Sequence, residues 1–306
     1  MLSQAATKFW VRPAIIVAVL LLLLWGIPQL LPVRSQYQLT DILIFCLVAG
    51  IIFLAGYVRH KPHLLEPWRR VLQSHRAMAA AVVLVFYVAI GLLDSIHFQE
   101  PLETQSGDSV HYSVEVPSLF DFLTRSLQER AEKTYSAPLA THLFVKEAKV
   151  LEDGSKVQVY PRLTHGGQHL DDPADKWPDI AVTSLRGMLW GLLPWAILAL
   201  LVTAWHARAT DTALAGSWQS IWRGRARYPL NTMLITAGVL LLLLGVLFTL
   251  SQKYHVFGTD KVGQDVFYLS LKSIRTGLVI GTLTTLVMLP FAILLGIMAG
   301  YFRGWI

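Results

Sequence analysis

Val256-Phe257-Gly258-Thr259-Asp260-Lys261-Val262-Gly263-Gln264-Asp265-Val266 opens the stretch that decides how this chain is organised, and a short amphipathic run then carries it to Arg275. From Thr276 to Phe302 no residue is charged, and since about 20 apolar residues are enough to cross a bilayer, this run predicts a membrane-spanning helix. Gly277 and Gly281 stand four apart within it, as do Gly296 and Gly300. Small residues at that spacing let another helix approach backbone to backbone, because lipid competes with leucine for every other contact. Thr282, Thr284 and Thr285 add polar handles, and Pro290 frees one main-chain carbonyl. Ahead of the run, Gly258-Thr259-Asp260 is a turn signal, in which glycine accepts positive φ and aspartate caps the backbone just beyond it. From the residues alone, Asp260 and Asp265 read as local caps.

Outward from that stretch, the composition is 54% hydrophobic and 15% charged over 306 residues, too apolar for a soluble globular protein. Six uncharged runs result, at 13–33, 42–58, 77–93, 187–207, 228–252 and 276–302. The fold class is an all-α polytopic membrane protein with six predicted transmembrane helices and a small α+β insert outside the membrane. The leucine-rich run 228–252, centred on Leu240 to Leu244, is expected to face lipid. Lys8 and Arg12 precede the first run, but Trp25-Gly26-Ile27-Pro28 stands in place of a small-residue cleavage site, so the first helix reads as uncleaved. One cysteine, Cys46, lies inside the second run, which excludes an internal disulfide.

Charge is distributed by position. Residues 94–185 carry fifteen acidic and eight basic side chains, and the rest of the chain five acidic and eighteen basic. The basic residues crowd beside apolar runs, with Arg59, Lys61, Arg69, Arg70 and Arg76 in one short loop and Arg208, Arg223, Arg225 and Arg227 in another. Positive residues in short loops remain cytoplasmic. That rule places the amino terminus inside and residues 94–185 outside, and it makes the basic pI a matter of topology rather than of nucleic-acid binding. Lys253 to Arg275, placed outside, carries four basic residues and runs against the rule. Two short basic segments, Glu66-Pro67-Trp68-Arg69-Arg70-Val71-Leu72 with Trp68 and Leu72 four apart, and Gly216-Ser217-Trp218-Gln219-Ser220-Ile221-Trp222-Arg223, read as interfacial stretches in contact with membrane lipid.

Within 94–185, Ser118 caps a predicted amphipathic helix over 120–134. Leu143 to Val150 and Lys156 to Tyr160 flank Glu152-Asp153-Gly154-Ser155 as a hairpin. His165, His169, Asp171 and Asp172 offer metal-ligand types, yet they sit in a glycine loop without the rigid set of three or four ligands that a site needs, so no metal is assigned. No phosphate-binding loop, nucleophile elbow or zinc-protease motif occurs, and none of the six runs contains Asp, Glu, Lys or Arg. Midplane chemistry or proton coupling would ordinarily require one, so no catalytic residue or cofactor is assigned.

The ordered set Gly258-Thr259-Asp260, Gly263, Asp265-Val266, Arg275 and Gly300-Tyr301-Phe302-Arg303-Gly304-Trp305 resembles the inner-membrane permease subunit of peptide and nickel ABC importers. The likeness covers roughly the last 90 residues. It departs from the family at Gln264, where Arg is usual, at Ser273 in place of Gly, and at Arg303 in place of the first Gly of the final pair. The resemblance implies a bacterial inner-membrane protein that works with a second permease subunit, two cytoplasmic ATPase subunits and a periplasmic solute-binding protein, and contact with that protein stands beside local capping as a second reading of Asp260 and Asp265. It divides the chain into an amino-terminal membrane region (1–93), a periplasmic insert (94–185), a fourth helix with its connection (186–213) and the start of the permease core (214–306). It also implies that the family's cytoplasmic coupling loop lies beyond Ile306, in a longer permease, or is missing from a gene remnant. A membrane-anchored sensor or assembly scaffold, binding through 94–185, is the competing class.

Overall fold

In the computed structural model, residues 34–36, 38–99, 101–102, 111–150 and 156–301 are described. Their elements in chain order are β1 (Arg34–Gln36), α1 (Leu39–Arg59), α2 (Pro62–Gln73), α3 (His75–Asp94), β2 (His97–Gln99), β3 (Pro101–Leu102), β4 (His111–Tyr112), α4 (Leu119–Leu123) and α5 (Arg125–Gln128). Next come β5 (Glu147–Val150), β6 (Lys156–Val159), a 3-10 turn (Pro173–Asp175), α6 (Lys176–Thr210), α7 (Leu214–Trp222), α8 (Leu230–Ser251) and α9 (Val266–Tyr301). Five of the helices, α1, α3, α6, α8 and α9, are long and apolar enough to cross a membrane, so the chain is a mostly helical, multi-pass membrane protein. The run predicted at 13–33 lies outside the described residues.

Helix ends differ from the uncharged runs for a simple reason: hydrogen bonding propagates through charged residues that hydropathy counting stops at. Thus α6 starts eleven residues before 187, and α9 starts at Val266 rather than at 276. At about 1.5 Å per residue both exceed the roughly 30 Å of a hydrocarbon core.

The described residues divide into two compact units, one within 34–64, 88–122 and 272–301, the other within 65–87 and 123–271. In the first unit β1 pairs antiparallel with β2, Ser35 opposite Phe98, and three buried aspartates organise the polar contacts. Asp41, in the first turn of α1, accepts the Gln38 N–H (2.9 Å) and His97 Nδ1 (3.1 Å) and pairs with the Arg275 guanidinium. Ser118 and Asp121 cap α4 reciprocally at 3.0 and 3.1 Å, while the Ser118 hydroxyl donates to Asp94 at 2.7 Å. Lys272 Nζ reaches both oxygens of Asp121, at 2.7 and 2.8 Å.

In the second unit α6 and α8 pack backbone to backbone. A Cβ on Gly187 would lie 2.7 Å from the Gly245 carbonyl oxygen, one on Gly191 would lie 2.6 Å from that of Leu241, and one on Gly245 would overlap the Gly187 carbonyl. Trp195 covers Gly238 and donates Nε1–H to the Leu234 carbonyl at 2.9 Å. One face of α8 is therefore buried on α6, where the leucine pattern predicts a lipid-facing helix. Leucine content reports only that a helix is apolar, whereas the glycines decide which face another helix can approach. Leu170, Leu250, Tyr254 and Val256 form a buried cluster beyond the end of α8, with Ile180 and Leu139 against it.

The helix predicted over 120–134 is two short pieces instead. Thr124 leaves helical geometry between α4 and α5, and past Gln128 the main chain is engaged elsewhere: the Glu132 N–H donates to Gly263 O (2.9 Å) and Thr134 O accepts from the Thr259 hydroxyl (2.7 Å). The hairpin over 143–160 forms with shorter strands, Glu147 opposite Val159 and Val150 opposite Lys156.

Candidate functional site

Gly258 to Asp265 is a closed loop whose two ends meet. Gly258 and Gly263 have φ of +77° and +84°, a region that only glycine enters without strain. Both are also pressed against main chain: a Cβ on Gly263 would overlap the Glu132 carbonyl, and one on Gly258 would overlap that of Ser136. Asp260 turns the loop by accepting the N–H groups of Val262 (2.9 Å) and Gln264 (2.8 Å). Thr259 fastens it outward, donating to Thr134 O while its hydroxyl lies 3.1 Å from that of Ser136. Asp265 closes it as the N-cap of α9, with Oδ1 accepting from Phe267 (2.8 Å) and Tyr268 (3.3 Å). Both aspartates thus serve as local caps, and Asp265 is buried.

The other oxygen of Asp265 reaches into a buried carboxylate–imidazole–carboxylate row. His255 Nδ1 donates to Asp265 Oδ2 at 2.7 Å, and His255 Nε2 faces Glu132 Oε1 at 3.4 Å, an ion-pair distance rather than a well-directed hydrogen bond. The imidazole is 3% exposed and each carboxylate 2%, so water does not screen the row. Glu132 also accepts the N–H groups of Thr164 (2.9 Å), His165 (2.7 Å) and Gly166 (3.2 Å). Burial by itself would raise the Glu132 pKa, but His255 and those three N–H groups outweigh it and lower it to about 2. Burial by itself would lower the His255 pKa, but the bond to Asp265 and the facing Glu132 carboxylate raise it to about 9. The histidine is accordingly an imidazolium at neutral pH. The row joins three segments remote in sequence, 132, 255 and 265, and holds the start of α9 against the 164–166 turn.

The remaining predicted positions separate from this joint. Arg275 lies in the first unit, donating to Asp41, to the Thr40 hydroxyl (2.8 Å) and to Gln38 Oε1 (3.3 Å). Gly277, Gly281, Gly296 and Gly300 have open space where a Cβ would stand, so among the described residues nothing packs closely on them. Main chain meets main chain instead at Gly187, Gly191 and Gly245. Gly187 and Gly191 show the same spacing of four in the sequence, a signal as good as the one in α9. Glu132 and His255 carried no such signal, for they stand 123 residues apart with ordinary neighbours. His169 pairs with Asp179 at 2.8 Å, and among the described residues no group of three or more His, Cys, Asp or Glu is arranged to hold a metal ion. Sealed as it is, the row can hold charge and fix geometry but offers no open face to a reactant. No family model matches the chain, and no curated protein or solved structure matches it either.

Proposed function

We propose that this chain is a transmembrane subunit of a binding-protein-dependent ABC importer of the inner membrane, translocating peptide-like solutes while partner subunits hydrolyse ATP. The observation that carries the reading is the Gly258–Asp265 loop. The residues that carry the family resemblance are the ones the loop needs sterically and electrically, at Gly258, Thr259, Asp260, Gly263 and Asp265, and they deliver a helix whose glycine-bearing face is open among the described residues. A helix with Gly277, Gly281, Gly296 and Gly300 uncovered suits close approach by further membrane helices. The proposed orientation has the amino terminus cytoplasmic and 94–185 periplasmic, on the charge of the loops at 59–76 and 208–227. Of the four basic residues between 253 and 275, Lys253 pairs with Asp179 (2.7 Å), Lys272 with Asp121 and Arg275 with Asp41. The positive-inside rule counts Lys and Arg whatever their acidic partners, so these residues still run against it, and the pairs give each a structural reason to stand there.

The test is affinity isolation of the native protein from its own membranes in mild detergent. Stoichiometric recovery of a nucleotide-binding ATPase and a second multi-pass subunit is the expected result. Recovery of a homogeneous protein with no ATPase, under conditions that keep known importers intact, overturns the proposal in favour of a membrane-anchored sensor or scaffold.

A further inference from the structure

Beyond the end of α8, the second unit contains a cleft of about 480 Å³ lined by Arg130, His165, Gln168, His169, Gln252 and Lys253. Its size is within the range of small-molecule sites, roughly 300–1,000 Å³. All six lining residues are polar, four of them can carry positive charge, and none is acidic. Two of the four are already matched: Asp179 accepts from Lys253 (2.7 Å), His169 (2.8 Å) and the Tyr254 hydroxyl (2.8 Å). Arg130 is not. Its guanidinium, half-buried, donates only to the main-chain carbonyls of Ser251 (3.3 Å) and Gln252, and among the described residues no carboxylate pairs with it. Glu132, two residues on, is engaged by His255 and the 164–166 main chain. A half-buried guanidinium given only neutral acceptors keeps its charge uncompensated by any carboxylate, and its planar fork of donors matches a carboxylate or phosphate.

We propose that this cleft binds an anionic oxygen group, a carboxylate or a phosphate, with Arg130 as the charged contact and Gln168, Gln252 and His165 as additional donors. The cleft lies where α8, a helix able to cross a membrane, gives way to the Gln252-Lys253 segment. The group can therefore belong to a dissolved solute or to a lipid headgroup, which present the same oxygens to the same guanidinium. This site does not depend on the importer reading.

The experiment is calorimetric titration of the full chain, in a non-ionic detergent, with inorganic phosphate, with succinate and with a short-chain phosphatidylglycerol. Saturable binding of phosphate or succinate identifies a solute site, and binding of phosphatidylglycerol alone identifies a headgroup site. Arg130→Gln is expected to weaken the positive titration by about tenfold or more, and Gln168→Ala by about threefold. Because Arg130 also satisfies carbonyls at the end of α8, helicity is checked by circular dichroism, and Gln168→Ala decides the matter if Arg130→Gln does not fold. Absence of saturable binding by all three probes, or wild-type affinity in the deciding variant, overturns the proposal.

Discussion

His255 is the residue on which the extramembrane joint turns, because its charge is buried between two carboxylates. Its pKa is raised from 6.5 to about 9, so the stability it contributes is fully present below about pH 6.5 and is lost as pH rises through 9. Glu132, lowered from 4.5 to about 2, contributes fully above pH 4.5 and loses its contribution as pH falls through 2. The two shifts describe one coupled row and do not add. The His255 shift corresponds to something on the order of 3 kcal/mol across the alkaline limb. Thermal unfolding of the purified chain should therefore occur at steadily lower temperature from pH 6.5 to 9.5. His255→Gln should be less stable than wild type at pH 6.5 and nearly flat over that interval. Parallel curves for the two proteins would show that the imidazolium is not what ties the loop to α9.

At the scale of elements, two sets of glycines with the same spacing have different fates, and the difference is measurable. Gly245→Val places a branched side chain against the main chain of Gly187 and Gly191 and should destabilise the α6–α8 pair by about 2 kcal/mol. Gly281→Val meets nothing within 4 Å and should leave the stability of the chain within about 0.5 kcal/mol of wild type. Denaturant unfolding in detergent micelles, followed by helicity, distinguishes the two. Equal losses would mean that the close α6–α8 approach contributes nothing. If the importer proposal is right, Gly281→Val should instead reduce recovery of the second multi-pass subunit.

For the molecule as a whole, the proposed orientation has a direct test, since Cys46 is the only cysteine. In a Cys46→Ser background, Lys61→Cys and Lys156→Cys place single thiols at two exposed positions, one in the basic loop and one in the hairpin. A membrane-impermeant maleimide added to spheroplasts should label the second and spare the first. The reverse pattern would invert the topology and remove the basis for a periplasmic receptor.

Five of the six runs read as spans are helices able to cross a membrane, the sixth lying outside the described residues, and the caps at Ser118 and Asp265 are legible from residue type alone. These features are local: a run of uncharged residues needs no partner to be apolar, and an aspartate caps the helix that begins beside it. Even the hairpin over 143–160 belongs to this class, since its two strands are neighbours in the chain. What the tertiary structure decided is long-range. Glu132 meets His255, Asp41 meets both His97 and Arg275, and one face of the leucine-rich α8 turns to Gly187 and Gly191 instead of lipid. The helix expected to run to Thr134 stops at Gln128 because Glu132 and Thr134 bond to a loop more than 120 residues away. No periodicity encodes such choices, because the free energy that selects them comes from groups that only folding brings together.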